Sequence, residues 1–154
     1  VGQALDPGLG FLSAPERRRI PELCGSCHSD ADYMRGFDPG LRVDQVAEYW
    51  TSAHGRALRE HDDPDAATCT DCHATHRIRP ASDPTSAVYP ANVIATCGRC
   101  HEDSSRMRSH DLPTDQLEQY AGSVHGRLLL EDGDLSAPVC NDCHGNHGEA
   151  PPGV

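Results

Sequence analysis

Lysine is missing from this sequence altogether, and all 13 of its basic residues are arginine. Positive charge is short overall, because 24 acidic residues leave a formal net charge of −11. That balance argues against nucleic acid as a partner, since phosphate binding needs a basic face. It permits docking to a basic protein through complementary fields. Aromatic residues make up 5% and apolar residues 36%, with 14 Gly and 12 Pro. Ordering each residue costs about 1–2 kcal/mol of backbone entropy. A chain this poor in apolar side chains usually depends on disulfides, metals or a bound group for its core. Long hydrophobic runs are absent too: Leu128-Leu129-Leu130 falls far short of the ~18–20 residues a membrane-spanning helix needs. The chain starts at Val1 with no basic-plus-apolar leader, as expected of an exported protein whose signal peptide has been removed.

The cysteines, by contrast, are plentiful and regular. All eight fall in four identical pairs: Cys24-Gly-Ser-Cys27-His28, Cys69-Thr-Asp-Cys72-His73, Cys97-Gly-Arg-Cys100-His101 and Cys140-Asn-Asp-Cys143-His144. Cys-x-x-Cys alone fits zinc ribbons, thiol redox sites or haem attachment. The histidine after every second cysteine separates these. With ten His in 154 residues, four such coincidences have a chance on the order of 10⁻⁵, and the pattern reads as c-type haem attachment. Two thioethers on one short turn hold the two vinyl edges of a porphyrin, and the next residue projects over the ring. His28, His73, His101 and His144 are therefore the expected proximal iron ligands of four haem c groups. Paired four-thiolate zinc sites would leave these histidines without a role. A Cys-x-x-Cys disulfide closes too small a loop to constrain much. With haem present, the all-arginine composition has two readings: a compositional bias, or guanidinium forks that pair with propionates as lysine cannot.

The chain contains an internal repeat. At an offset of 71, residues 43–58 align with residues 114–129, sharing Asp-Gln, Tyr, Ser-x-His-Gly-Arg and Leu. The same offset carries Cys69 to Cys140 and His76 to His147, whereas Cys24 and Cys97 are 73 apart, so one small insertion separates the halves. Val43, Val46, Trp50 and Ala57, and likewise Leu117, Tyr120/Ala121, Val124 and Leu128, follow helical periodicity. Each segment is expected as one amphipathic helix, the second capped by Thr114 after Pro113. The glycine after each Ser-x-His either lets a porphyrin plane approach the backbone or marks a kink at a helix end. Short helices are expected at the attachment motifs. The expected fold is mainly α with much irregular coil and little or no β, a small haem-packed protein of two pseudo-repeated dihaem halves. The boundaries read as an N-terminal arm (1–23), a first repeat (24–76), an extended Pro-rich connector (77–96, with Pro80, Pro84 and Pro90), a second repeat (97–147) and a C-terminal tail (148–154).

Six further histidines can supply distal ligands: His54, His61, His76, His110, His125 and His147. The repeat selects His54 with His125 and His76 with His147; His61 and His110 have no counterpart. On a helix, His76 would share a face with His73 and so serve a neighbouring iron. The resulting assignment gives His76 to the haem on Cys24/Cys27 and His147 to that on Cys97/Cys100. His54 and His125 then serve the haems on Cys69/Cys72 and Cys140/Cys143, with exchange inside each half left open. Met34 and Met107 do not correspond in this alignment and read as packing residues rather than ligands. The acidic stretches 61–65 and 131–134 read as solvated turns, with a weak calcium alternative because neither completes a ligand loop.

Alternating Cys-x-x-Cys-His and Ser-x-His-Gly resembles the multihaem c-type cytochromes of respiratory nitrogen- and metal-cycling bacteria. So does the connector from His76-Arg-Ile-Arg-Pro to Val93, running into Thr96-Cys97. The resemblance spans about residues 24–148. It implies bis-histidine, low-potential haems stacked in a chain. Some tetrahaem members form extracellular filaments in which a histidine of one subunit ligates a haem of the next, and His61 or His110 would be candidates for that role. The expected function is electron transfer without catalysis, in the periplasm or outside the cell, with redox proteins as partners and a homopolymer as one form. A small nitrogen-oxide type redox enzyme with one open iron is the alternative.

Overall fold

The computed structural model describes residues 15–151. Among these residues it is mainly helical and has no strand. The helices are α1 (Ile20–His28), α2 (Ala31–Arg35), α3 (Gln45–Tyr49), α4 (Ala53–His61), α5 (Cys69–His73), α6 (Pro90–His101), α7 (Ser104–Met107), α8 (Gln116–Gly122), α9 (Val124–Leu130) and α10 (Cys140–His144). They are short because start and stop signals are dense. Pro21 and Pro90 stand in the first turns of α1 and α6, where a missing N–H costs nothing and the fixed φ suits a helix. Asp30 and Asp103 cap α2 and α7, each accepting from backbone amides of the first turn. All four Cys-x-x-Cys-His motifs end a helix, at α1, α5, α6 and α10. No helix among the described residues is long and apolar enough to cross a membrane.

The two amphipathic segments depart from the sequence expectation of one helix each. Both bend in two, α3 into α4 and α8 into α9, and a serine forms each bend. The Ser52 hydroxyl donates to the Tyr49 carbonyl at 2.7 Å and accepts from the Gly55 amide at 2.9 Å. Ser123 repeats this with the Tyr120 carbonyl at 2.7 Å and the Gly126 amide at 3.1 Å. One hydroxyl thus closes the incoming helix and caps the outgoing one. The following glycine makes room for the fold-back. A Cβ at position 55 would lie 1.9 Å from the Tyr49 carbonyl oxygen, and one at 126 would lie 2.0 Å from that of Tyr120. Both are far inside contact distance, so these glycines serve the elbow itself, a purpose distinct from the two read in sequence. Arg56 and Arg127 clamp the bends by donating to the carbonyls of Thr51 and Gly122.

Each elbow nucleates a small apolar cluster. Tyr49, Leu58 and Ala66 pack with Trp50 and Ala57. Val93, Leu129, Ala137 and Val139 pack with Ile94, Tyr120 and Leu128, and with Cys97 and Cys140. The tyrosine hydroxyls tie the elbows to the following motifs, Tyr49 donating to Ala67 O at 2.9 Å and Tyr120 to Pro138 O at 3.0 Å. Burying a leucine such as Leu58 contributes about 1.5–3 kcal/mol, so clusters this small are a thin core for the chain.

Other expectations shift as well. The connector is not extended throughout: Asp83 accepts from the amide and hydroxyl of Thr85, Asn92 donates to the carbonyls of Pro84 and Ser86, and α6 already starts at Pro90. Asp115 rather than Thr114 occupies the N-cap position of α8. Only residues 15–23 of the expected N-terminal arm and 148–151 of the tail lie within the described residues. Both of those parts are docked. Arg17 donates to Ala66 O at 2.6 Å and to Asp71 at 2.8 Å, while the Glu149 carbonyl accepts from the Ala53 amide at 2.7 Å.

Candidate functional site

The helix starts fix the attachment motifs in place. Asp71 accepts from the amide and hydroxyl of Thr68 at 2.7 and 2.9 Å, and Asp142 accepts from the Val139 amide at 2.8 Å, so the third residue of α5 and of α10 anchors its own helix start. Arg17 and Arg99 then tie Asp71 to the N-terminal 3₁₀ turn and to α6. All eight cysteines are unpaired, with half-buried or exposed side chains. Their thiols form a succession: Cys24 lies beside Cys69, Cys72 is within the field of Cys100, and Cys97 lies beside Cys140. Burial, with Cys24 next to it, pushes the Cys69 thiol up to about 12, and burial takes Cys72 to about 11. Both remain protonated at neutral pH.

Four histidines converge in two pairs at the centre. The ring centres of His54 and His101 are 6.2 Å apart, and those of His73 and His147 are 6.0 Å apart. All four side chains are half-buried, and burial pushes each of the four below the usual imidazole value. Neutral imidazole is the form that binds a metal. An imidazole nitrogen sits about 2 Å from a transition metal and about 1 Å from its own ring centre, so two rings on opposite sides of one iron have centres about 6 Å apart. Both separations match that distance. Among the described residues, no three His, Cys, Asp or Glu side chains converge on one point. A porphyrin would bring most of its iron's ligands itself, so two histidines from the chain, such as His54 with His101 or His73 with His147, would be enough to hold it.

The pairs differ from the sequence assignment. His54, on α4, pairs with His101 of the third Cys-x-x-Cys-His motif, and His147 pairs with His73 of the second. The reason is backbone geometry after each last motif. α5 ends at His73 because Ala74 has φ 63°, and α10 ends at His144 with Gly145 at φ 91°. His76 and His147 therefore do not continue a helix, and the shared-face argument for His76 fails. After Gly145 the chain folds back on the first elbow: Glu149 O accepts from Ala53 N, and His147 Nδ1 stands 3.9 Å from Glu48.

His28, His76, His125 and His144 are exposed, and no ring pair among the described residues includes them. The His144 ring is 3.0 Å from Ala150 O. His61 is exposed at the end of α4, while His110 is 3.3 Å from Asp63. Met34 and Met107 are both buried, in α2 and α7. They are 73 apart, the offset of Cys24 and Cys97, so they do correspond, contrary to the alignment at 71. The acidic stretches are engaged locally. Arg18, His110 and Arg106 face Asp62, Asp63 and Asp65, and Asp134 accepts from the Ser136 amide and hydroxyl.

Sequence reading missed two groups beside the central pairs, Glu48 and Glu149, the latter pushed up to about 7 chiefly by burial. Their repeat counterparts are Gln119 and Ile78, so the repeat itself concealed them. No family model, curated protein or solved structure matches this chain.

Proposed function

We propose that the chain is an exported electron-transfer protein holding four haem c groups in two pseudo-repeated dihaem halves. The observation that carries this reading is the convergence of two motif histidines with two others at 6.0 and 6.2 Å, each proximal ring ending a Cys-x-x-Cys-His helix. Haem iron, when bound, exchanges one electron with little rearrangement. The chain's own part is to attach, ligate and order. Cys24/Cys27, Cys69/Cys72, Cys97/Cys100 and Cys140/Cys143 supply the thioethers, and His28, His73, His101 and His144 the proximal ligands. His147 and His54 supply the distal ligands at the second and third motifs. The thiol succession supports a linear order of sites, first to fourth, in a stacked row. Half-burial of His54, His73, His101 and His147 would limit the access of water to iron held between them. The acidic surface suits a basic redox protein as partner, in the periplasm or at the cell surface.

Pyridine haemochrome counting and a potentiometric titration test the reading. Four haems per chain, titrating as four one-electron steps without substrate turnover, are the expected result; fewer than two haems per chain contradicts it. The exposed His28 and His144, with no second ring opposite, favour one other reading, a small redox catalyst with an open iron. A high-spin paramagnetic resonance signal that persists in fully assembled protein, together with turnover of nitrite or hydroxylamine, would select the catalyst.

A further inference from the structure

One cleft is lined by residues of the first half that the second half does not repeat. Glu16, Arg18, Arg19 and Glu22, along the N-terminal 3₁₀ turn and the start of α1, line it together with Trp50 and Arg59, around a space of about 500 Å³. That volume is ordinary for a small-molecule site. At the offset of the first motif, Arg18, Arg19 and Glu22 become Ala91, Asn92 and Ala95. At the offset of the elbow, Trp50 and Arg59 become Ala121 and Leu130. Both halves carry the same cysteine pairs and motif histidines, so whatever those residues hold does not call for this cleft.

Its charges are ordered by the backbone. Glu16, Arg19 and Glu22 recur at intervals of three and so share a face of the turn as it runs into α1; the Arg19 amide donates to the Glu16 carbonyl at 2.8 Å. Across from them, Arg59 Cζ lies 5.8 Å from the centre of the Trp50 ring. The indole face holds that guanidinium in place and leaves its N–H edge for an oxyanion. Arg18 and Arg59 have carboxylate neighbours at 3.5 Å, Asp62 and Glu60, in pairs exposed enough to give way readily. Three guanidiniums against two lining glutamates leave one net positive charge. A bare dianion would meet Glu16 and Glu22 as like charges, and a simple cation would meet three arginines.

We propose that this cleft binds a zwitterionic phosphate ester of the phosphoethanolamine kind, with its phosphate on Arg18, Arg19 and Arg59 and its ammonium on Glu16 and Glu22. A tetrahedral oxyanion has oxygens enough for three forks, whereas a carboxylate has two. At neutral pH a phosphate monoester carries a charge of about −2, and its ammonium brings the ligand near the −1 that balances the cleft. The side chains of Arg18 and Arg59 are 55% and 51% exposed, so the site is reached from solvent. A free ester and a lipid headgroup offer the same chemistry there. The assignment stands apart from the haem reading.

Isothermal titration calorimetry on the purified full chain, at neutral pH and low salt, takes phosphoethanolamine, inorganic phosphate and ethanolamine as probes. Phosphoethanolamine should bind at least about tenfold tighter than either of the others. Arg19→Ala and Arg59→Ala should each weaken it at least about tenfold, and Arg59→Lys should not restore it, because an ammonium has no fork. Glu16→Gln combined with Glu22→Gln should close the gap between phosphoethanolamine and inorganic phosphate. Arg77→Ala, exposed and outside the cleft, should change nothing, and an unchanged helical spectrum shows that each variant is folded. Flotation with phosphatidylglycerol vesicles, with and without phosphatidylethanolamine, separates the sources. Capture that needs phosphatidylethanolamine and is lost in Arg19→Ala supports the lipid headgroup; calorimetric binding without capture supports the free ester. No binding of phosphoethanolamine, or binding that Arg19→Ala and Arg59→Ala leave intact, overturns the proposal. Inorganic phosphate bound as tightly as phosphoethanolamine overturns the part given to the two glutamates.

Discussion

The two elbows are built by the same hydrogen bonds and end in different surroundings. At the first, Tyr49 is 7% exposed and the outgoing helix begins under a docked segment that takes the Ala53 amide. At the second, Tyr120 is only half-buried and Val124 stands open. Local chemistry makes the bend in both places, and what lies over the bend decides whether its histidine has a partner. Among the described residues, His54 has a ring partner and His125 does not.

Replacing the two elbow histidines gives the largest contrast. His54→Ala in the haem-loaded chain should convert one low-spin iron entirely to high spin, whereas His125→Ala should leave the spectrum unchanged. Equal spectral losses would erase the distinction between inner and outer sites. Gly55→Ala and Gly126→Ala should each cost about 3 kcal/mol or more by chemical unfolding, because a Cβ there meets a backbone carbonyl. Gly122→Ala, with nothing within 4 Å of its Cβ, serves as the control and should change stability by less than about 1 kcal/mol.

The tyrosines separate the elbows more finely. Tyr49→Phe strands the Ala67 carbonyl beneath a covered elbow and should cost about 1–2 kcal/mol, against about 0.5–1 kcal/mol for Tyr120→Phe at the open one. Thermal unfolding of both variants checks the order. Effects of similarly small size, but of opposite sign, belong to the residues that release the chain after α5 and α10. Ala74 holds a left-handed φ of 63° that costs a side chain strain, and Gly145 holds φ 91° without that penalty. Ala74→Gly should gain about 1 kcal/mol, and Gly145→Ala should lose a similar amount; the opposite signs would show that the two exits are not alike.

Much of this arrangement was legible in the amino-acid order. The short helices at the Cys-x-x-Cys-His motifs follow from spacing and repetition. The bends were not, because helical periodicity runs on through Val46, Trp50 and Ala57 although Ser52 ends one helix and starts another. Pairing across the halves was hidden for a different reason. Periodicity describes one element at a time, while His147 reaches His73 only because Gly145 turns the backbone and Glu149 docks on Ala53. The correspondence of Met34 with Met107 was lost to an insertion of two residues that lies between Met34 and Val43, which changes the offset partway through the repeat. Proline misled in one place: Pro90 reads as a breaker in a Pro-rich connector, yet it occupies the first position of α6.

Intact-mass measurement of the purified, denatured chain tests the central claim most directly, since thioether-bound porphyrin survives denaturation. The account predicts a mass above the 16.6 kDa polypeptide by four haem groups, with the added mass mapping to peptides that contain Cys24, Cys69, Cys97 and Cys140. A colourless chain at the bare polypeptide mass would contradict it.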